Sequence, residues 1–330
     1  MSLSSGSSEH VLAAEGLKVV YETSFGVVDA ASDVTFQVKR GEFFGLAGES
    51  GCGKSTVAYS LVKEVPPPGR IVGGKIYING RDVVPLSEDE MRKIRWKEIS
   101  VIPQAAMNAL NPVYTVGDQI AEAILAHEEM SKDDALARAE ELLDLVGVGR
   151  QRVRSYPHEL SGGQRQRVMI AMALALNPPV VIADEPTTAL DVVVQAQILN
   201  LFKELRSKFN MSLIFITHDL TTMFELVDRI AVMYAGKIVE IGPTDKIVDD
   251  PLHPYTELLV RAVPRIGVGE KGRFEYIPGS PPNLLEPPPG CRFHPRCPKR
   301  FEPCDKEEPR MVEVEKGRFV ACHLIAGRTS

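Results

Sequence analysis

The residues best suited to chemistry fall into three groups. Gly48-Glu49-Ser50-Gly51-Cys52-Gly53-Lys54-Ser55 has the spacing G-x-x-x-x-G-K-[ST], in which glycines let backbone N–H groups turn inward around phosphate oxygens. Lys54 is expected to contact the two outer phosphates and Ser55 a Mg²⁺ ion. By average residue usage, the pattern arises by chance in roughly one chain of this length in a hundred. The second group is Val180-Val181-Ile182-Ala183-Asp184-Glu185, an apolar run that ends in two carboxylates. Asp184 suits a Mg²⁺ holder and Glu185 a general base for water. Paired acids at a strand end are often merely solvated, but a phosphate loop in the same chain favours the chemical reading. The third group is Cys291, Cys297, Cys304 and Cys322, crowded near the C-terminus, with Cys52 standing apart. In a reducing compartment such crowding points to metal more readily than to disulfides.

The elements around these groups are those the chemistry needs. A strand over Gly41–Ala47 runs into the glycine-rich loop, and a helix over Lys54–Glu64 follows, so its positive dipole end adds to the anion site. Short alternating runs from Val11 to Phe44 predict β-structure, with further strands over Ile71–Ile78 and Ile99–Ile102 and a short helix over Ser87–Trp96. Between Val116 and Val146 apolar residues fall at helical spacing, which predicts an inserted helical subdomain at about 105–165. Beyond a helix over Gly162–Leu176, runs at Val180–Ala183, Leu213–Thr217 and Ile230–Met233 alternate with helices near Val192–Lys208 and Leu220–Leu226. That alternation predicts a parallel α/β sheet. After Gly242 the order loosens into an extended proline-rich segment, including Pro281, Pro282, Pro287, Pro288 and Pro289.

Composition bounds the possibilities. The 330 residues allow two structural units, and 44% hydrophobic with 25% charged residues is ordinary globular usage. A net charge of −6 argues against bulk nucleic-acid binding. No apolar run reaches the ~20 residues that cross a bilayer. The opening MSLSSGSSEH lacks the features of a secretory signal, so residues 1–9 are expected to be a disordered leader and the chain cytoplasmic.

Leu160-Ser161-Gly162-Gly163-Gln164, followed by Arg165-Gln166-Arg167, resembles the signature sequence of ABC-type ATPases. Gln104, Asp191 and His218 fall where that family has its Q-loop, D-loop and switch histidine. The resemblance implies a P-loop NTPase of ABC type: a RecA-like α/β core, an antiparallel β-subdomain and the helical insert, together spanning 10–242. It further implies that ATP is bound by Gly48, Ser50, Gly51, Cys52, Gly53, Lys54, Ser55 and Thr56, with Tyr21 stacking on adenine. Mg²⁺ would be held by Ser55, Gln104 and Asp184, with Glu185, His218 and Gln104 catalytic. Ser161, Gly162, Gly163, Gln164 and Asp191 would meet the nucleotide of a partner subunit. On the residues alone, His218 also fits a core histidine, Tyr21 a packing residue and Gln104 a loop amide.

Ala109-Leu110-Asn111-Pro112, Thr115-Val116-Gly117, His253-Pro254-Tyr255-Thr256 and the run from Ile277 to Cys304 are similar to one branch, the ATPases of oligopeptide and dipeptide importers. In that branch the ATPase sits peripherally on the cytoplasmic membrane face and binds two integral-membrane permease subunits. It pairs with a second ABC ATPase, paralogous or identical, while an extracellular solute-binding protein delivers cargo. No nucleic acid is expected. Oligosaccharide import on the same architecture is one alternative; a soluble ABC-type ATPase acting on nucleic acid or ribosomes is another. Residues 243–330 form the C-terminal extension, where the spacing C-x5-C-x6-C-x17-C matches neither common zinc modules nor the bacterial ferredoxin run. Some members of the branch carry a [4Fe–4S] cluster there, and Arg292, Arg296, Lys299 and Arg300 would offset its negative charge. Zinc, with His294 or His323 as a ligand, and disulfides or unliganded thiols are the alternatives.

Overall fold

The computed structural model describes residues 9–104, 108–263 and 277–326. The expected leader lies outside them apart from Glu9. The chain begins with two long antiparallel strands, β1 (His10–Thr23) and β2 (Gly26–Lys39), then β3 (Phe43–Ala47) and helix α1 (Lys54–Leu61). Next come β4 (Gly69–Ile78), β5 (Arg81–Asp82), α2 (Glu88–Ile94) and β6 (Ile99–Ile102). Helices α3 (Val116–Leu125), α4 (Lys132–Leu145) and α5 (Gly162–Ala173) follow. Their starts are set by Thr115, Ser131 and Ser161, whose hydroxyls accept from the N–H three residues on. The alternating part then runs β7 (Val180–Asp184), α6 (Val192–Phe209), β8 (Ser212–Ile216), α7 (Leu220–Leu226) and β9 (Arg229–Tyr234). It continues through β10 (Lys237–Pro243), α8 (Thr244–Asp249), α9 (Pro254–Arg261), β11 (Val312–Glu315), β12 (Arg318–Val320) and α10 (His323–Ala326).

Two sheets result, one in the order β2-β1-β4-β5 and one in the order β11-β12-β10-β9-β3-β8-β7-β6. Every residue of β3, β7 and β8 is buried, because helices and the smaller sheet cover both faces; this is why these strands read as continuous apolar runs. β3 and β7 flank β8 in parallel register, so their C-terminal ends reach the same edge roughly 10 Å apart, two strand spacings. The chemistry of the chain collects at that edge.

The expected parallel sheet describes β9, β3, β8, β7 and β6, but the other side of the sheet departs from it. Ala235-Gly236, both at positive φ, form a two-residue turn that sends β10 back antiparallel to β9. The C-terminal segment is also more ordered than its prolines suggest. A hairpin of β11 and β12 closes on Gly317, and β12 adds to β10, extending the main sheet. The alternation Val312-Glu313-Val314-Glu315 carried that signal, which the proline-rich stretch before it obscured.

The hairpin is fastened by charge. Arg318, 2% exposed, donates to Asp250 Oδ2 at 3.0 Å and to the Asp250 carbonyl, and lies 3.9 Å from Glu240, which is fully buried. Glu240 in turn accepts from the Leu252 and His253 N–H groups at 2.9 Å each. Arg318→Ala is therefore expected to cost about 3 kcal/mol, because it leaves a buried carboxylate without its cation. A urea midpoint equal to that of the unaltered protein would contradict this.

Candidate functional site

The loop after β3 is shaped by two glycines that no other residue could replace without displacing backbone. Gly48 and Gly53 have φ of +146° and +104°, and a Cβ on either would run into a carbonyl oxygen, of Met233 and Ala30 respectively. Helix α1 starts at Gly53 without a side-chain cap, so its first N–H groups remain available as donors to an anion. Lys54 is buried at 7% exposure, and its ammonium donates to the carbonyls of Gly48 at 2.8 Å and Glu49 at 3.0 Å. Cys52 is buried beside it, while Ser50 and Gly51 face solvent at the tip. Tyr21 on β1 places its hydroxyl 3.3 Å from that of Thr56 on α1, so the aromatic ring borders the same loop-helix unit.

Across the sheet edge, Asp184 ends β7 fully buried, and neither carboxylate oxygen has a hydrogen-bond partner. Burial pushes its pKa up, offset in part by Ser55 and Lys54. A buried carboxylate with both oxygens free beside a serine hydroxyl fits a hard cation such as Mg²⁺. Glu185 follows in the left-handed region and is a point of convergence. It accepts from Gln104 Nε2 at 3.1 Å and Thr188 Oγ1 at 2.9 Å, and its other oxygen lies 3.2 Å from His218 Nδ1. Burial acts to raise the Glu185 pKa, but the Thr188 and His218 contacts outweigh it and hold the carboxyl below the usual range. Gln104, Glu185 and His218 are thus brought together as a unit. Thr188 was missed by sequence reasoning; its place three residues after the glutamate, reachable across one turn, was the available signal.

Ser161 to Gln164 form a different surface. The Ser161 hydroxyl accepts from Gln164 N–H at 3.3 Å, and the Gln164 amide oxygen accepts from Ser161 N–H at 3.0 Å, a reciprocal cap that fixes the start of α5. Gly162 and Gly163 retain the uncapped N–H groups of that turn. A Cβ on Gly163 would lie 2.7 Å from Val194, so this turn packs against the start of α6. Asp191 caps α6 through Val194 N–H at 2.9 Å, and beside it Val192 and Val193 are 81% and 68% exposed.

In the C-terminal extension, Cys304 and Cys322 are buried and Cys291 and Cys297 half-buried. Burial pushes Cys291 up to about 11, and the charges of the other three cysteines add to the rise. Cys297 and Cys322 are raised in the same way, while backbone N–H groups of Phe293, Lys299 and Leu324 favour the thiolates. Among the described residues, no group of three or more His, Cys, Asp or Glu side chains is set to hold a metal ion. His294 Nδ1 lies 3.0 Å from the Cys291 carbonyl, and His323 Nε2 2.8 Å from that of Glu307. Cys291, Cys297 and Cys322 each feel the charge of neighbouring cysteines.

A glycine-cradled lysine after one strand, with carboxylates ending the strand two places away, defines a P-loop nucleotide hydrolase, and the serine-capped helix is the ABC variant of it. Residues 31–188 match the family described as ABC transporter, and residues 239–304 that described as oligopeptide/dipeptide transporter, C-terminal region. The dipeptide transport ATP-binding protein DppD of Bacillus subtilis is 46% identical over 319 residues, covering 96% of this chain and 95% of the relative. The oligopeptide transport ATP-binding protein OppD of Escherichia coli is 45% identical over 317 residues, covering 96% and 93%. Among solved structures, the dimeric post-hydrolysis state of the ATP-binding cassette MJ0796 bound to ADP and Pi aligns with a TM-score of 0.63 at 30% identity, covering 71% of this chain and 98% of that one. The chain belongs to the ATP-binding subunits of the oligopeptide/dipeptide ABC transporter family. It is an ATPase of that class.

Because Thr188 helps to hold the Glu185 carboxyl low, its loss should let burial raise that pKa. The sign follows: a base that titrates higher is protonated at higher pH, so the acid limb of the kcat profile of Thr188→Ala moves to higher pH. A profile that superimposes on that of the unaltered protein would remove Thr188 from this role.

Proposed function

We propose that the chain is the energy-coupling subunit of a peptide importer, held peripherally at the cytoplasmic face of the membrane and closing head to tail on a second ATPase around two ATP molecules. The observation that carries the reading is Glu185, one residue beyond the buried, unpaired Asp184 and joined to Gln104, Thr188 and His218. Lys54 and the N–H groups of Gly48 to Thr56 bind the phosphates, and Tyr21 borders the base. Ser55, Asp184 and Gln104 would hold Mg²⁺, which when bound neutralises phosphate charge. Glu185 orients water and accepts its proton, while His218 supports the charge that develops on the γ-phosphate. The Gln104–Glu185 hydrogen bond ties this centre to the helical insert, assigned to about 105–165 within an ATPase domain of 10–242.

Several surfaces support the partners. The uncapped N–H groups of Gly162 and Gly163, with Asp191 and the exposed Val192 and Val193, suit an ATP molecule held by the second subunit, identical or paralogous. A groove of about 1010 Å³ along α3, reaching the start of α4 and the end of α5, is lined by Trp96, Tyr114, Leu125 and Met172 with Asp118 and Glu122. Its mixed apolar and acidic lining suits a cytoplasmic segment of one of two permease subunits. No helix among the described residues is long and apolar enough to cross a membrane, in keeping with attachment through such partners. Peptide cargo is the reading the names of the relatives favour, delivered by a separate solute-binding protein.

For residues 243–330, the extension, Cys291, Cys297 and Cys322 have pKa values raised in part by neighbouring cysteines, a strain that cationic charge among them would relieve. Four cysteines gathered in one short extension suit a [4Fe–4S] cluster held by Cys291, Cys297, Cys304 and Cys322, with zinc as the alternative.

Glu185→Gln is expected to bind Mg-ATP normally and to lower turnover about a hundredfold or more, read by titration and phosphate release. Near-normal hydrolysis would refute the base. For the extension, Cys297→Ser purified without air should lose iron and visible absorbance. Full iron content would take Cys297 off the ligand list, and an iron-free unaltered protein would end the cluster reading.

A further inference from the structure

Glu49, the second residue of the phosphate loop, is gripped from two sides by the C-terminal extension. Its carboxylate receives a two-pronged contact from Arg296, Nη1 to Oε2 at 2.7 Å and Nη2 to Oε1 at 3.0 Å. Its backbone N–H donates to the Tyr255 hydroxyl at 2.9 Å, and Tyr255 is fully buried on α9. The third group of the same residue, its carbonyl, accepts from the Lys54 ammonium. One loop residue therefore connects the extension to the lysine that faces the phosphates.

Arg296 is built to stay where it is. Its side chain is 6% exposed, its Nε donates to the Pro278 carbonyl at 2.7 Å, and Nη1 reaches the Tyr234 hydroxyl at 3.3 Å. A planar guanidinium held this way satisfies a carboxylate through both oxygens, whereas a lysine supplies one point charge. The contact also solves an electrostatic problem. A free carboxylate in the wall of a triphosphate site repels its ligand, and in a part-buried setting that repulsion is weakly screened.

We propose that Arg296 is a positioning residue for ATP binding, acting through Glu49: it neutralises the carboxylate in the phosphate loop and pins the loop backbone, so the extension sets nucleotide affinity. The inference rests on reading Gly48 to Ser55 as the phosphate site. Tyr255 is its accessory, anchoring the same residue by the main chain.

The test is Mg-ATP titration of the full-length protein, with KM and kcat measured alongside. Arg296→Ala is expected to weaken ATP binding about tenfold and raise KM in step, with kcat changed no more than about twofold. Adding Glu49→Gln should restore most of the affinity, since the uncompensated charge is then gone; a merely structural loss would not be rescued by altering the loop. Should Arg296→Ala fail to fold, Arg296→Lys carries the test and is expected to weaken binding about threefold with a melting temperature near that of the unaltered protein. Lys54→Ala separates the two readings by abolishing binding if the loop is the phosphate site. Unaltered affinity in the Arg296 variants while Lys54→Ala loses ATP would overturn the role of Arg296 alone. Additive effects of Arg296→Ala and Glu49→Gln would do the same.

Discussion

Two buried charges at one edge of the main sheet govern this protein. Lys54 rests on the carbonyl oxygens of its own loop, and Asp184, one strand removed, has no hydrogen-bond partner on either carboxylate oxygen. Burying such groups costs several kcal/mol each unless an opposite charge meets them. Phosphate and a divalent cation are the ligands that satisfy both together. The all-buried strands β3, β7 and β8 hold the two charges at fixed separation, so the sheet acts as the ruler of the site.

Around this pair the polar groups are arranged in layers of decreasing burial. Glu185 stands just outside Asp184, tied to Gln104, Thr188 and the largely exposed His218. Its contacts come from the loops carrying Gln104 and His218 and from its own turn at Thr188, so the place of its carboxylate depends on all three. The contacts from the extension to Glu49 place a further element on the opposite wall of the site. Phosphate loop, helical insert and cysteine-rich extension therefore meet within one small region.

Much of this was legible beforehand, for a physical reason. A phosphate cradle is made by contiguous backbone, so Gly48, Gly53, Lys54 and Ser55 show their purpose through spacing alone; the collision that a Cβ would cause at both glycines is the same constraint seen in three dimensions. Helix starts at Thr115, Ser131 and Ser161 are likewise local events, and the continuous apolar runs of β7 and β8 announced a doubly covered sheet. What misled was the proline-rich stretch, behind which the β11–β12 hairpin lay unread, and the two-residue turn at Ala235-Gly236, which reverses the sheet's edge.

Sequence by itself determined the class of chemistry and the strand–loop–helix unit that performs it, because these depend on residues adjacent in the chain. The tertiary structure alone decided which distant groups face one another. Gln104 and His218 reach Glu185 from 81 and 33 residues away, and Arg296 meets Glu49 across 247. Contacts at such separations carry no local pattern; they arise where the packing of a shared core brings chain ends together, and their partners can be known only once that core is formed.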